Sequence, residues 1–359
     1  MKRFFRPLLA LHRWLAVLLV IPLAILAISG AGLAFSDEID RALNPDLRNV
    51  PPEFHKPYAP LSSSLLTAPV INAPTHKSIK PYIIYPAMTP YDSLRIDWLG
   101  FAGNGSAERF QSFYNPYTAQ LLGSRNYQDS LPVLLAELHR YFWFESNWHD
   151  TATTLLKGAL PFMLLLILLG MILLFLLKPR HNRLPQPKTL HQKVGALTAP
   201  FLLFIMVSAL LSLFSLTTFN PSHRIASPLI TTPQVVSNSP LLKTLIDHID
   251  AQCPTGQKPY QIWLNQPEGI TLYCQTPNDS GSVTQTQWKL SVSSSDPIEI
   301  SKTRISSYIN NVAWALHTGE ILNLPGRLIW MWASLLILIL IYTGLKKAFT
   351  QGVRHAGRK

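Results

Sequence analysis

The sequence predicts a membrane α-helical protein with four transmembrane helices arranged as two parallel repeats, and with two α+β domains outside the bilayer. Four uncharged apolar runs predict the helices: Trp14–Phe35, Gly158–Leu177, Val194–Phe219 and Leu328–Leu345. Each has 18 residues or more, close to the length at which a helix crosses roughly 30 Å of hydrocarbon. A Leu-His pair precedes every run: Leu11-His12, Leu138-His139, Leu190-His191 and Leu316-His317. His12 and His191 lie 179 residues apart and His139 and His317 lie 178 apart, the signature of a duplication. Asn44-Pro45 and Asn220-Pro221, 176 apart, extend the repeat past the helices.

Charge sets the topology. The chain has 359 residues, 48% of them hydrophobic, and a net charge of +12. Lys2, Arg3, Arg6 and Arg13, then Lys178, Arg180, Arg183, Lys188 and Lys193, then Lys346, Lys347, Arg354, Arg358 and Lys359 account for the excess, with no acid among them. This basicity flanks apolar runs instead of forming a nucleic-acid surface. The positive-inside rule therefore places 1–13, 178–193 and 346–359 in the cytoplasm, with both termini inside.

The elements follow in order. The first span, 14–35, is longer than the core of a cleaved secretory signal and is one of four repeat-related runs, so it is read as retained. An outer domain fills 36–157, opening on the acidic Ser36-Asp37-Glu38-Ile39-Asp40. Prolines at 51, 52, 57, 60, 69 and 74 argue against a long helix over 45–76. Strands are expected at Pro81–Ala87, Ser93–Leu99 and Glu108–Phe113, with a last one ending near Gly123 after the turn Asn115-Pro116-Tyr117-Thr118. Residues 131–144 are apolar and aromatic but contain Glu137, His139 and Arg140, which predicts an interfacial helix. Spans at 158–177 and 194–219 enclose a basic loop, 178–193, too short for a domain. The second outer domain, 220–327, has a helical pattern over Leu241–Gln252 and strand patterns at Tyr260–Leu264, Ile270–Cys274, Thr284–Leu290 and Pro297–Ile300. The last span is 328–345 and the tail 346–359. Cys253 and Cys274, the only cysteines, share the second outer segment, and a disulfide is expected there in an oxidising compartment. Two cysteines alone make a poor metal site.

The four repeated histidines form the candidate site. One histidine at a membrane boundary is ordinarily an interfacial side chain reaching for water. Four at repeat-related places, where ionisable groups are costly, point to function. Parallel repeats are related by an axis along the membrane normal, so related residues lie at one depth on opposite sides of it. His12 would then face His191 near the cytoplasmic side, and His139 would face His317 near the outer side. Two neutral imidazoles approaching iron from opposite faces suit a low-spin haem. The four are accordingly expected to be haem iron axial ligands, two haems per chain. Arg13 and Arg140, next in sequence to two of them, are candidate propionate contacts. Neither site offers the carboxylates or thiolates that other metals favour. His149 competes with His139 but its counterpart region, near Arg327, has no histidine. His55, His76, His223 and His248 in the outer segments, and His181 and His355 in basic stretches, read as solvated. Tyr114, Tyr117 and Trp288 are candidate substrate contacts whose ordinary role on strands is core packing. No catalytic side chain is identified.

The segment LHRWLAVLLVIPLAILAISGAGLAFSDEIDRALNP, the LHRY at 138–141 and the turn YNPYTAQLLG resemble the PepSY-associated transmembrane family over essentially the whole chain. One departure is Ala119, where that family's turn commonly has glycine. The resemblance implies PepSY-like periplasmic domains, a bacterial inner-membrane location and two b-type haems held by histidines. It further implies a reductase that takes electrons from a quinol or a cytoplasmic reductase and delivers them to a ferric siderophore or other ferric chelate. No glycine-rich phosphate loop is present, so the donor is external. Two other classes compete. Outer PepSY-like units also suit a non-catalytic envelope-binding or protease-regulating protein, with structural histidines. A transporter fits the repeat, but the spans carry only Pro22, Pro161 and Pro200 as interruptions and no buried acid.

Overall fold

The computed structural model describes residues 2–59, 65, 76–102, 107–142, 144, 148–176, 189–219, 246, 249–266, 269–276, 286–292, 300–304 and 308–356. The chain divides into two compact units: Met1–Ser36, Leu134–Pro221 and Val312–Lys359 form one, and Asp37–Val133 with Ser222–Asn311 the other.

The first unit is helical. Its long elements are α1 (Lys2–Leu18), α2 (Val20–Leu33), α6 (His149–Leu176), α7 (Leu190–Phe219) and α9 (Asn323–Ala356), with α5 (Leu131–Tyr141) and α8 (Tyr308–Thr318) entering from the other unit's segments. The stretches His149–Leu176, Leu190–Leu211 and Glu320–Lys347 are each long and apolar enough to cross a bilayer. The sequence predicts a span over 14–35. α1 and α2 qualify only as a pair bent by 62°. The cause is Pro22, which has no N–H for the Leu18 carbonyl and whose ring clashes with it. Leu19 takes φ −96° and ψ 3°, while Leu19 N–H to Leu15 O and Leu23 N–H to Leu19 O, both 2.9 Å, keep their bonds. The helices also start earlier than the apolar runs, because backbone hydrogen bonding continues past the point where side chains turn polar. His12 therefore stands well inside α1 and not at its mouth. α1 packs on α6, α6 on α7, α7 on α9 and α9 on α2, with Leu19, Leu160 and Met163 buried at the centre.

The second unit corrects the expectation of two separate outer domains. Its strands are β1 (His76–Tyr85), β2 (Leu94–Ala102), β3 (Ala107–Tyr114), β4 (Leu121–Asn126), β5 (Lys258–Gln266), β6 (Gly269–Gln275), β7 (Thr286–Val292) and β8 (Ile300–Arg304). They form one antiparallel sheet in the order β4-β3-β2-β1-β5-β6-β7-β8. Each half supplies a four-stranded meander, and the meanders join where Ile83 pairs with Trp263 and Ile84 with Ile262. Two small sheets would each leave the first strand's edge unpaired, and pairing β1 with β5 removes both edges. The join also makes one core, with Ile84, Ile96, Trp98, Ile262, Ile270, Leu272 and Leu290 on one face beneath Ile246 and Ile249. Ile246 and Ile249 belong to the expected 241–252 helix, most of which lies outside the described residues, as do Thr284 and Pro297 at the starts of two expected strands. Cys253 and Cys274 are joined by a disulfide.

The opposite face of the first meander is polar and internally paired. Arg125 grips Asp40 of α3 (Ser36–Leu43) through Nη1 at 2.7 Å and Nη2 at 2.9 Å. Its Nε donates to Gln111 Oε1 at 2.9 Å, Gln111 Nε2 donates to Asp97 Oδ1 at 3.2 Å, and Arg109 holds Asp97 Oδ2 at 3.0 Å. Nearby, Asp37 pairs with Arg41 and Arg48 at the turn into α4 (Pro45–Arg48). Arg95 lies over the Tyr85 ring at 3.6 Å and Arg109 over Tyr127 at 3.7 Å.

In the turn after β3, Asn115 Oδ1 accepts the Tyr117 and Thr118 N–H groups at 2.8 and 3.3 Å. Ala119 then takes φ 59°, and its N–H bonds Asn115 O at 2.8 Å. A left-handed conformation costs a residue with a Cβ roughly 1–2 kcal/mol, which glycine avoids. Ala119→Gly is expected to stabilise the sheet unit by about 0.5–1 kcal/mol after glycine's own entropy is subtracted, read as a rise in thermal midpoint.

Candidate functional site

Four helices supply the histidines, and the structure brings them together in two pairs. His12 of α1 and His191 of α7 have ring centroids 6.5 Å apart at an interplanar angle of 75°. His139 of α5 and His317 of α8 have centroids 6.2 Å apart at 52°. The second pair sits in the last turns of two short helices ended by left-handed residues, Phe142 (φ 52°) and Gly319 (φ 82°). The pairs are well separated. Ser334 lies beside Gly30 and His139, whereas Gly344 lies under His191, ten residues along α9 and so about 15 Å away.

Each ring rests on a neighbouring helix in the same way. A Cβ added at Gly170 would lie 3.3 Å from His12 Cε1, one at Gly30 3.3 Å from His139 Cε1, and one at Gly344 3.4 Å from His191 Cε1. The imidazoles approach the backbone where no side chain intervenes. Four residues before each glycine a carbonyl faces the ring: Leu166 for His12, Leu26 for His139 and Leu340 for His191. The fourth histidine follows the pattern with a change, since His317 Nδ1 faces the Ile205 carbonyl at 3.4 Å, and the residue four later is Ala209. The Cε1–Nδ1 edges of His12, His139 and His191 thus lie against glycines, and His317 turns Nδ1 to a carbonyl. Two imidazoles bonded to one metal ion at about 2.0 Å, each nitrogen roughly 1.1 Å from its ring centre, would have centroids about 6.2 Å apart. Both pairs are near that separation. Among the described residues no group of three or more His, Cys, Asp or Glu could hold a metal ion, so the equatorial ligands of any such ion would have to come with it.

The remaining candidates divide. Arg13 and Arg140 stand beside their histidines, and the Arg140 charge is felt at both His139 and His317. His149 turns elsewhere: its Nε2 lies 3.2 Å from Glu137 Oε2 and its ring stacks on Tyr141 at 3.8 Å. Arg327, at the repeat position of His149, donates from Nε to the Ala34 carbonyl at 2.7 Å. Tyr114 is buried in the sheet core, Tyr117 is buried with its hydroxyl donating to the Pro90 carbonyl at 2.9 Å, and Trp288 packs on the core. His55 is exposed; His181, His223 and His248 lie outside the described residues, as do the side chains of His76 and His355. Sequence reasoning missed the glycines, Ser29 and Thr343. Their signal was a glycine after a helix-compatible residue inside an apolar run: Ser29-Gly30, Leu169-Gly170, Thr343-Gly344.

Residues 9–346 match the family described as the PepSY-associated TM region, nearly the whole chain. The chain belongs to the PepSY-associated TM family. No curated protein matches it significantly. Membership makes this PepSY-associated protein a multi-pass membrane protein with a separate α+β sheet unit, and both histidine pairs fall inside the matched region.

Proposed function

We propose that this protein is a di-haem b-type electron carrier of the bacterial inner membrane that reduces ferric iron on the periplasmic side, with a ferric siderophore or related chelate as substrate. The observation that supports it most is the pair of histidine pairs, each spaced so that two imidazoles could hold one metal ion, with no third protein ligand among the described residues. Such a donor set suits an iron that arrives with four macrocycle nitrogens. Haem bound at both levels would supply a one-electron path across the bilayer. The protein's own part would be to hold four imidazoles in two facing pairs among packed apolar helices, with Arg13 and Arg140 as cations available to propionates. The basic segments stay cytoplasmic and the sheet unit is periplasmic. One electron converts each ferric ion to ferrous, which hard-oxygen chelators hold less tightly. A quinol, giving two electrons and two protons, or a cytoplasmic reductase serves as donor.

The test is the reduced-minus-oxidised visible spectrum of the detergent-purified protein, with haem quantified per chain after expression with ample haem supply. Two b-type haems per chain with bis-histidine bands, and ferric-chelate reduction by the dithionite-reduced protein, are expected. A colourless protein would overturn the proposal and favour a non-catalytic envelope-binding or protease-regulating role.

A further inference from the structure

Within each histidine pair the two rings are held unequally. His139 Nδ1 lies 3.0 Å from Ser29 Oγ, and the Ser29 hydroxyl donates its proton to the Ile25 carbonyl at 2.6 Å. His191 Nδ1 lies 3.0 Å from Thr343 Oγ1, whose hydroxyl donates to the Ile339 carbonyl at 2.7 Å. A hydroxyl that has given its proton to a carbonyl can only accept from the imidazole. With the hydroxyl proton on the helix carbonyl, the matching tautomer of each ring carries its proton on Nδ1 and leaves the lone pair on Nε2.

The other two rings lack this. The residue before Gly170 is Leu169, without a hydroxyl, and His12 Nδ1 is buried with no hydrogen-bond partner among the described residues. Beside His317 the repeat supplies Ser208, but its hydroxyl donates to the Ile205 carbonyl at 2.9 Å, the same carbonyl that His317 Nδ1 faces at 3.4 Å. Ala209 stands in the glycine's place. So in each pair one imidazole meets a hydroxyl and the other does not, His317 facing only a backbone carbonyl, and the hydroxyl-bonded members, His139 and His191, belong to opposite halves of the chain.

We infer that Ser29 and Thr343 are positioning residues that fix the tautomer of His139 and His191, so that each pair is built from one permanent and one exchangeable ligand. In its haem consequences this rests on the function proposed above. Outer hydrogen bonds to a metal-bound imidazole orient the ring and raise its basicity, and their loss ordinarily costs 10–100-fold in affinity. His12 and His317 are the rings that a small competing ligand displaces first.

The experiment compares Ser29→Ala, Thr343→Ala, Ser29→Thr and Thr343→Ser with the wild type, as full-length protein in detergent. Ser29→Ala should weaken haem retention about 10–100-fold at the His139/His317 level alone, and Thr343→Ala at the His12/His191 level alone. Ser29→Thr and Thr343→Ser, which keep the hydroxyl, should restore it. Independently of haem, ¹⁵N-histidine spectra of the haem-free protein should show Nδ1–H tautomers for His139 and His191, with Nε2–H forms emerging in the matching alanine variant. Alanine variants that match the wild type in retention and in ¹⁵N pattern would overturn the inference. A wild type that takes up no haem overturns the proposed function instead, and the ¹⁵N comparison still decides whether the hydroxyls set the tautomers.

Discussion

Replacing His139 or His317 by alanine is expected to remove the same haem, and replacing His12 or His191 the other, taking the protein from two haems per chain to one in each of the four cases. The expectation follows from geometry: the rings of each pair lie 6.2 and 6.5 Å apart between centroids, with no third donor to replace a lost one among the described residues. On the proposed function any single loss would also interrupt the path between the two faces of the membrane, so ferric-chelate reduction should fall to background in all four variants while the surviving haem keeps its spectrum. His149→Ala is the decisive control. Its Nε2 is engaged by Glu137 at 3.2 Å and its ring is stacked on Tyr141, so both haems should remain. Loss of a haem in His149→Ala with retention in His139→Ala would show that the outer pairing drawn here is wrong. The measurement is pyridine-haemochrome quantification per chain on each purified variant.

The proximity of the histidines was legible: Leu-His pairs at a constant offset single them out, and the expected repeat places His12 with His191 and His139 with His317, the two pairs that the structure brings together. The rings' footing was not legible. A glycine in an apolar helix has many ordinary reasons to be there, and nothing in Ser29-Gly30 says that an imidazole from α5, more than a hundred residues away, will lie on it. In the fold, strand positions followed from alternation and turn residues. The union of two expected domains into one sheet did not, because strand patterns show which face is apolar but not which edges will meet. Trp263 illustrates this: its partner across the join, Ile83, lies in the other half of the chain. The bend at Leu19 was within reach of the sequence, since Pro22 stood in the run. Pro161 and Pro200, however, lie inside α6 and α7, which continue through them, so a proline alone did not single out the break.

Asp40→Ala is expected to destabilise the sheet unit by about 3–5 kcal/mol, the usual consequence of stranding one member of a buried ion pair. Asp40 is 1% exposed, and its carboxylate takes both Arg125 terminal nitrogens and the Asn44 amide at 3.0 Å. Removing it leaves the Arg125 guanidinium buried beside Gln111 with no counter-ion, and Gln111 in turn orients Asp97, which is fully buried. The loss therefore propagates from α3 across β4 and β3 to β2. For a unit of this size the shift in thermal midpoint should be roughly 6–20 °C. The pair's own worth is a smaller quantity, because desolvating both ions cancels much of their attraction. Arg125→Ala should cost less than Asp40→Ala, because Arg48 Nε still faces the Asp40 carboxylate at 3.5 Å, and the double variant clearly less than the two together, giving a coupling of about 1–3 kcal/mol. Additive losses would mean that the two side chains act separately and that the polar face is not one network. Haem content in these variants should stay at the wild-type value, and that separates a damaged sheet from a damaged site.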